Sequence, residues 1–204
     1  MFMSNKCPSF ESIKLAFLIL FAISFCFSLI FLLVITFVPS NVKFYISDAS
    51  LTKFKVISNN TLDFKFEANI TSRNPNKNVE IYYLTITAIA LYKDYNFATV
   101  NLSSFNQGHK NTTFINLVFE GKSVLKDKQL FEYNEESRLG IYNDFAIDLD
   151  LLVMYKFGIY KTWPYNPPFV KCRRLSLSLI SNSNSSPPSF HVTKCITGYF
   201  FGNR

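Results

Sequence analysis

From Leu15 to Val38 the chain reads LAFLILFAISFCFSLIFLLVITFV, apolar but for Ser24, Ser28 and Thr36 and with no charged side chain among these 24 positions. As a helix this stretch extends roughly 36 Å at 1.5 Å per residue, against a hydrocarbon core of about 30 Å. Its apolar residues leave no polar face, so it reads as a membrane span and not as the core helix of a globular domain. Beyond Pro39 the period changes to two. Leu62, Phe64, Phe66, Ala68 and Ile70 alternate with Asp63, Lys65, Glu67, Asn69 and Thr71, the pattern of a half-buried strand whose solvent face carries Asn69. Phe145, Ile147, Leu149, Leu151 and Val153 share one face of Ile141–Tyr155, with Asp148 and Asp150 on the other.

Further strands are predicted at Val42–Ile46, Phe97–Leu102, Thr112–Phe119, Phe169–Leu179 and Phe190–Phe201. Tyr82–Tyr92 is apolar on both faces, as a central strand would be. Lys93-Asp94-Tyr95-Asn96 reads as the turn of a hairpin, Val124–Arg138 as a helix, and the Ser-, Asn- and Pro-rich Ser181–Pro188 as an exposed loop. These elements predict a leader over 1–14, a transmembrane helix over 15–38 and an all-β sandwich over 39–204. The apolar run exceeds the usual length of a cleaved signal peptide, so an uncleaved signal anchor is expected. Lys6 and Lys14 on one side face Lys43, Lys53 and Lys55 on the other, and the positive-inside rule does not orient the span.

Composition strengthens the β reading: 23 Phe and 11 Tyr raise aromatic residues to 17% of the 204. Net charge is +7, falling to +6 when Lys6, Lys14 and Glu11 are set aside. That excess favours an acidic neighbour, anionic headgroups or a polyuronate wall polymer, over a solvated surface of no consequence only where charges cluster, as at Lys171, Arg173 and Arg174. Nucleic acid is not an expected partner of a domain outside the cytosol.

Cys172 and Cys195 are the two cysteines beyond the span, and in a non-cytosolic domain they read as a disulfide towards the outer face of its sheet; in a cytosolic domain they would be free thiols. Cys26 lies within the span, and Cys7 is a candidate for lipidation beside the membrane. Five N-x-[ST] sequons, at Asn59, Asn69, Asn101, Asn111 and Asn184, are candidate glycosylation sites.

Several motifs occur in order: Asn74-Pro75-Asn76 at a strand end, Ile81-Tyr82-Tyr83, Phe97-Ala98-Thr99-Val100, Gln107-Gly108-His109-Lys110-Asn111-Thr112-Thr113, Val170-Lys171-Cys172 and Thr193-Lys194-Cys195. Together they resemble the plant NHL proteins, the harpin-induced and non-race-specific disease resistance-like family, whose domain belongs to late embryogenesis abundant group 2. The resemblance covers the chain from about Val42 onwards. It implies a fibronectin type III-like sandwich, a plasma-membrane home with the domain outside, and a role in pathogen response. Ser104-Phe105-Asn106 departs from the Pro-Phe-Tyr frequent in that family. A lipid-replaced C-terminal tail, known in part of the family, is not expected. Read physically, Asn74-Pro75-Asn76 is a turn, Gly108 is expected to supply a positive φ, and Tyr82 and Tyr83 place one ring outside and one in the core.

Catalytic chemistry is not legible. The two histidines, His109 and His191, stand apart from any nucleophile, and no phosphate loop, metal motif or G-x-S-x-G occurs. Asp148 and Asp150 share a face, without further ligands for a cation. The sequence therefore calls for no enzyme activity, metal or cofactor and implies no oligomeric state. Three roles remain: a surface component of plant defence or membrane–wall attachment, acting on protein or polymer; a lipid-binding or membrane-tethering module with a groove between its sheets; and a stabilising protein in desiccation, as the domain's family name suggests.

Overall fold

The computed structural model describes residues 10–180 and 190–204, in two compact units, Met1–Pro39 and Ser40–Arg204. The first contains α1 (Phe10–Phe37), of which Ile13–Leu33 is long and apolar enough to cross a membrane. The second unit is an all-β sandwich. Strands β1 (Lys43–Ile57), β2 (Thr61–Arg73), β3 (Val79–Tyr92), β4 (Tyr95–Leu102), β5 (Phe105–Gln107) and β6 (Thr112–Val124) are followed by α2 (Asp127–Leu139). Then come β7 (Ile141–Phe157), β8 (Tyr160–Lys161), β9 (Val170–Ser178) and β10 (Thr193–Lys194). One sheet has the order β10-β1-β2-β6, and the other runs β4-β3-β7, with β5 on β3 and both β8 and β9 on β7. All named strand pairs are antiparallel. Three long strands facing β4-β3-β7-β9 give the fibronectin type III-like arrangement.

Alternation makes the core. Leu62, Phe64, Phe66, Ala68 and Ile70 of β2 are all buried, as are Phe145, Ile147, Leu149, Leu151 and Val153 of β7. Phe54 lies among the rings of Tyr142, Phe145, Tyr92, Tyr133 and Phe97, with centroids 4.9–6.2 Å away. Such tilted and edge-on pairs add to the burial itself. The interior is thus occupied by side chains.

Several boundaries depart from the sequence-based expectation, each for a local reason. Strand β1 runs on past Ile46 to Ile57, because register shifts at Ile46/Asp48 and Leu51/Lys53 absorb its polar middle. Strand β3 is not buried on both faces. A shift at Tyr83/Thr85 exchanges its faces, so that Ile81 and Tyr83 point inward before it and Ile86, Ala88 and Ala90 after it. The Phe190–Phe201 strand shrinks to Thr193–Lys194, since the segment pairs first with β1 and then, through Ile196, with Lys171 of β9. Gly198 follows, where a Cβ would meet Pro168 at 2.9 Å. Lys93 and Asp94 form the expected hairpin turn with φ of 50° and 62°. Gly108 does not supply the positive φ of its loop; Lys110 does, at 48°. The segment 181–189, with the expected loop, lies outside the described residues.

Candidate functional site

The motif residues converge on the end of the sandwich where the chain enters it. The Ser40 N–H donates to Asn76 Oδ1 at 2.7 Å, and Asn76 Nδ2 donates back to the Ser40 carbonyl at 2.9 Å. Asn76 is fixed in turn by Asn74, whose Oδ1 accepts from the Asn76 N–H and Nδ2 at 3.1 and 3.0 Å. The Asn74 amide donates to the carbonyls of Val79 (2.7 Å) and Gly108 (3.0 Å). Gln107, also buried, donates to the Ser72 carbonyl at 2.8 Å and accepts from Tyr83 Oη at 3.2 Å and Ser72 Oγ at 3.4 Å. Burial pushes the Tyr83 phenol well above its ordinary range. Asn74-Pro75-Asn76 and Gln107-Gly108 therefore make one buried, satisfied polar cluster that ties the incoming chain to both sheets.

Beside this cluster the β7–β8 hairpin turns at Gly158, with φ of 57°. Its side chains point away from the domain: Ile159 is 87% exposed, Tyr160 74% and Trp163 89%. Around them stand Lys161, whose Nζ lies 5.3 Å from the centre of the Tyr82 ring, and Lys156, 3.7 Å from Glu80. The Tyr82 hydroxyl, donating at 3.0 Å, holds the Glu80 carboxyl below its usual value against the opposing effect of desolvation, with help from Lys156 and His109. The run GIYKTWPY falls between the predicted strands Ile141–Tyr155 and Phe169–Leu179 and carries no predicted element; its exposed aromatics are what sequence reasoning missed.

At the opposite end, α2 is docked by Glu136. Its carboxylate accepts from Tyr92 Oη (2.9 Å), the Asn143 N–H (3.1 Å) and Lys93 Nζ (2.8 Å). Burial would lower the Lys93 pKa, but Glu136 and Asp144 outweigh it and raise it. Phe131 and Leu139 of this helix are exposed.

Cys172 and Cys195 are joined, with Cα atoms 4.2 Å apart. The bond does not lie on the outer face as the strand parity implied: the residues are 0% and 3% exposed and belong to the core. The reason is a bulge. Ile147 pairs with Cys172 and Phe145 with Leu175, so β9 has one residue more than β7, and Arg174 takes a φ of 61°. That extra residue exchanges the faces of β9. The bond ties β9 of one sheet to the segment just after β10 of the other, where the Cys195 N–H donates to the Phe44 carbonyl at 2.9 Å.

The remaining candidates are scattered. Asn59, Asn69, Asn101 and Asn111 are all exposed, at a turn, on β2, on β4 and in the loop before β6. Asn101 Oδ1 accepts from Thr87 Oγ1 and Asn111 Oδ1 from the Thr112 N–H. Asn184 and Cys7 lie outside the described residues. Asp148 and Asp150 do not converge on a cation; each is paired, with Arg173 at 2.7 Å and Arg204 at 2.8 Å. Burial raises the Asp148 pKa against the pull of Arg173. His109 stands 4.0 Å from Glu80, and His191 lines a separate cleft of about 720 Å³ with Asp48, Arg174 and Phe190. Among the described residues no group of three or more His, Cys, Asp or Glu is placed to hold a metal.

No family model matches the chain. Curated proteins of Arabidopsis thaliana do. The chain is 38% identical to NDR1/HIN1-like protein 2 over 78% of its own length and 66% of that protein. Identity is 37% to NDR1/HIN1-like protein 3, over 78% and 68% of the two chains, and 36% to NDR1/HIN1-like protein 10, over 82% and 74%. The chain thus spans from about two thirds to three quarters of these relatives' lengths. A solved protein from Archaeoglobus fulgidus superposes at a TM-score of 0.33 with 12% identity, over 71% of this chain and 99% of that one, too loosely to bear on the argument. On the sustained identity to these relatives, the chain belongs to the NDR1/HIN1-like (NHL) family of plant proteins.

Proposed function

We propose that this chain is a membrane-anchored, non-enzymatic protein of plant defence or stress response, held in the plasma membrane with its sandwich outside the cytosol. It works there through contacts with protein or with acidic cell-wall polymer. The observation that carries the placement is the Cys172–Cys195 bond between the two sheets: such bonds persist in oxidising compartments and are rare in the cytosol. The apolar Ile13–Leu33 supports the anchor. The NDR1/HIN1-like relatives support the defence role. Contact functions suit a domain whose buried polar groups serve packing, in a chain of net charge +7, and whose α2 presents Phe131 and Leu139 to solvent.

The test is glycosylation, which only a domain delivered to the secretory lumen acquires. Asn69 projects from the solvent face of β2 and is the first site to examine. Glycosidase should increase the gel mobility of protein from plant cells, and Asn69→Gln should remove one step of that change. Protein that migrates identically before and after treatment contradicts the external placement.

A further inference from the structure

Exposed Ile159, Tyr160 and Trp163 need an explanation, because three large apolar side chains at one hairpin tip are costly in water. Their position in the fold supplies one. Phe157, at the start of the turn, pairs with Val79. The Val79 carbonyl accepts from Asn74, and Asn74 holds Asn76, which grips Ser40 through both backbone groups. The tip and the point of chain entry therefore lie at the same end of the sandwich. Ser40 follows Val38, the last apolar residue of the span, with only Pro39 between. A residue of chain extends at most about 3.3–3.6 Å, so an anchored Val38 keeps this end within roughly 10 Å of the hydrocarbon edge. The headgroup region itself occupies most of that depth.

We propose that Ile159, Tyr160 and Trp163 sit in the headgroup region of the bilayer that anchors the chain, making the β7–β8 tip a second point of membrane attachment. This rests on the membrane-anchored reading and adds to it an orientation of the domain. The residue types suit the place. Trp and Tyr favour the membrane–water interface, where an amphipathic ring has both an apolar and a wet side. The rim is basic. Lys77, Lys110 and Lys161 are exposed near the tip, and Lys43 lies beside Arg73 at the start of β1. The nearby Glu80 is engaged by Tyr82 and Lys156. Such lysines keep their ammonium groups in water while meeting lipid phosphates.

The chain contains a single tryptophan, Trp163, so its intrinsic fluorescence reports on the tip alone. Full-length protein is reconstituted into phosphatidylcholine vesicles, with and without added anionic phospholipid and with brominated or plain acyl chains. Flotation first establishes whether the protein is held by the vesicles. Trp163 should emit at shorter wavelength than in the denatured chain and lose intensity in brominated vesicles. The loss should be greater with anionic lipid and reduced by Lys161→Glu. Protein that floats, yet emits equally in brominated and plain vesicles, overturns the inference while leaving the anchor intact. A blue-shifted emission without bromine quenching also overturns it, assigning the tip to protein contact. Protein that fails to float defeats the anchored reading and this inference together.

Discussion

Replacing Asn74 by alanine tests whether the Asn74-Pro75-Asn76 turn is a structural clamp. The carboxamide makes four hydrogen bonds within a fully buried site: two donated to the Val79 and Gly108 carbonyls and two accepted from Asn76. Alanine removes all four and leaves their partners where water does not readily reach. An unsatisfied buried group costs about 1–3 kcal/mol, and less for a carbonyl that keeps a second partner. Taking the lower end for the two carbonyls and the Asn76 amide gives a loss of about 3 kcal/mol. For a domain of this size that lowers the melting temperature by roughly 6–12 °C. Asn74→Asp keeps the acceptor but faces two carbonyls with a carboxylate, and should destabilise at least as much. Asn78→Ala, at an exposed neighbour, should stay within about 0.5 kcal/mol of wild type. The assay is urea unfolding of the full chain in mild detergent, followed by near-ultraviolet circular dichroism of the packed Phe and Tyr rings. An Asn74→Ala protein as stable as Asn78→Ala would refute the clamp.

Two further outcomes follow from the core. Because Cys172 and Cys195 are 23 residues apart, replacing both by alanine should cost about 3 kcal/mol from chain entropy, with lost core packing added; both cysteines alkylating in native protein without reductant would contradict the bond. Burial pushes Tyr142 up to about 12, and Tyr83, Tyr92 and Tyr165 beyond that, while Glu136 and Asp144 hold Lys93 high. The native state thus keeps protons that the unfolded chain releases above about pH 10, so stability is full below that pH and falls as pH rises through the raised values. Phenolate absorbance should rise in two phases, exposed tyrosines first and the buried ones only with unfolding; a single phase near pH 10 would contradict the burial.

Where the physical signal is local, the sequence was legible. The strict period of β2 placed five side chains in the core and Asn69 in solvent, and the long uncharged run marked α1. Signals that depend on one inserted residue were not. Nothing in Val170-Lys171-Cys172-Arg173-Arg174 announces that Arg174 bulges, yet that bulge turns the disulfide from the surface into the core. The polar middle of β1 hid a strand for the same reason. The motif Asn74-Pro75-Asn76 was readable as a turn, and Asn76 does bond back to Asn74. Its partnership with Gly108 and Ser40 required the fold, because the bonded residues lie 34 and 36 positions apart in the chain. Trp163 falls between predicted strands, and nothing in the sequence announces that a tight glycine turn presents its neighbours outward.

The central claim is that the sandwich faces outward from a single anchor. It is tested most directly by an epitope tag after Arg204, probed with antibody on intact plant protoplasts. The account predicts staining at the surface without permeabilisation, lost when external protease is added first. A tag that stains only after permeabilisation, and survives external protease, would place the domain in the cytosol and contradict the account.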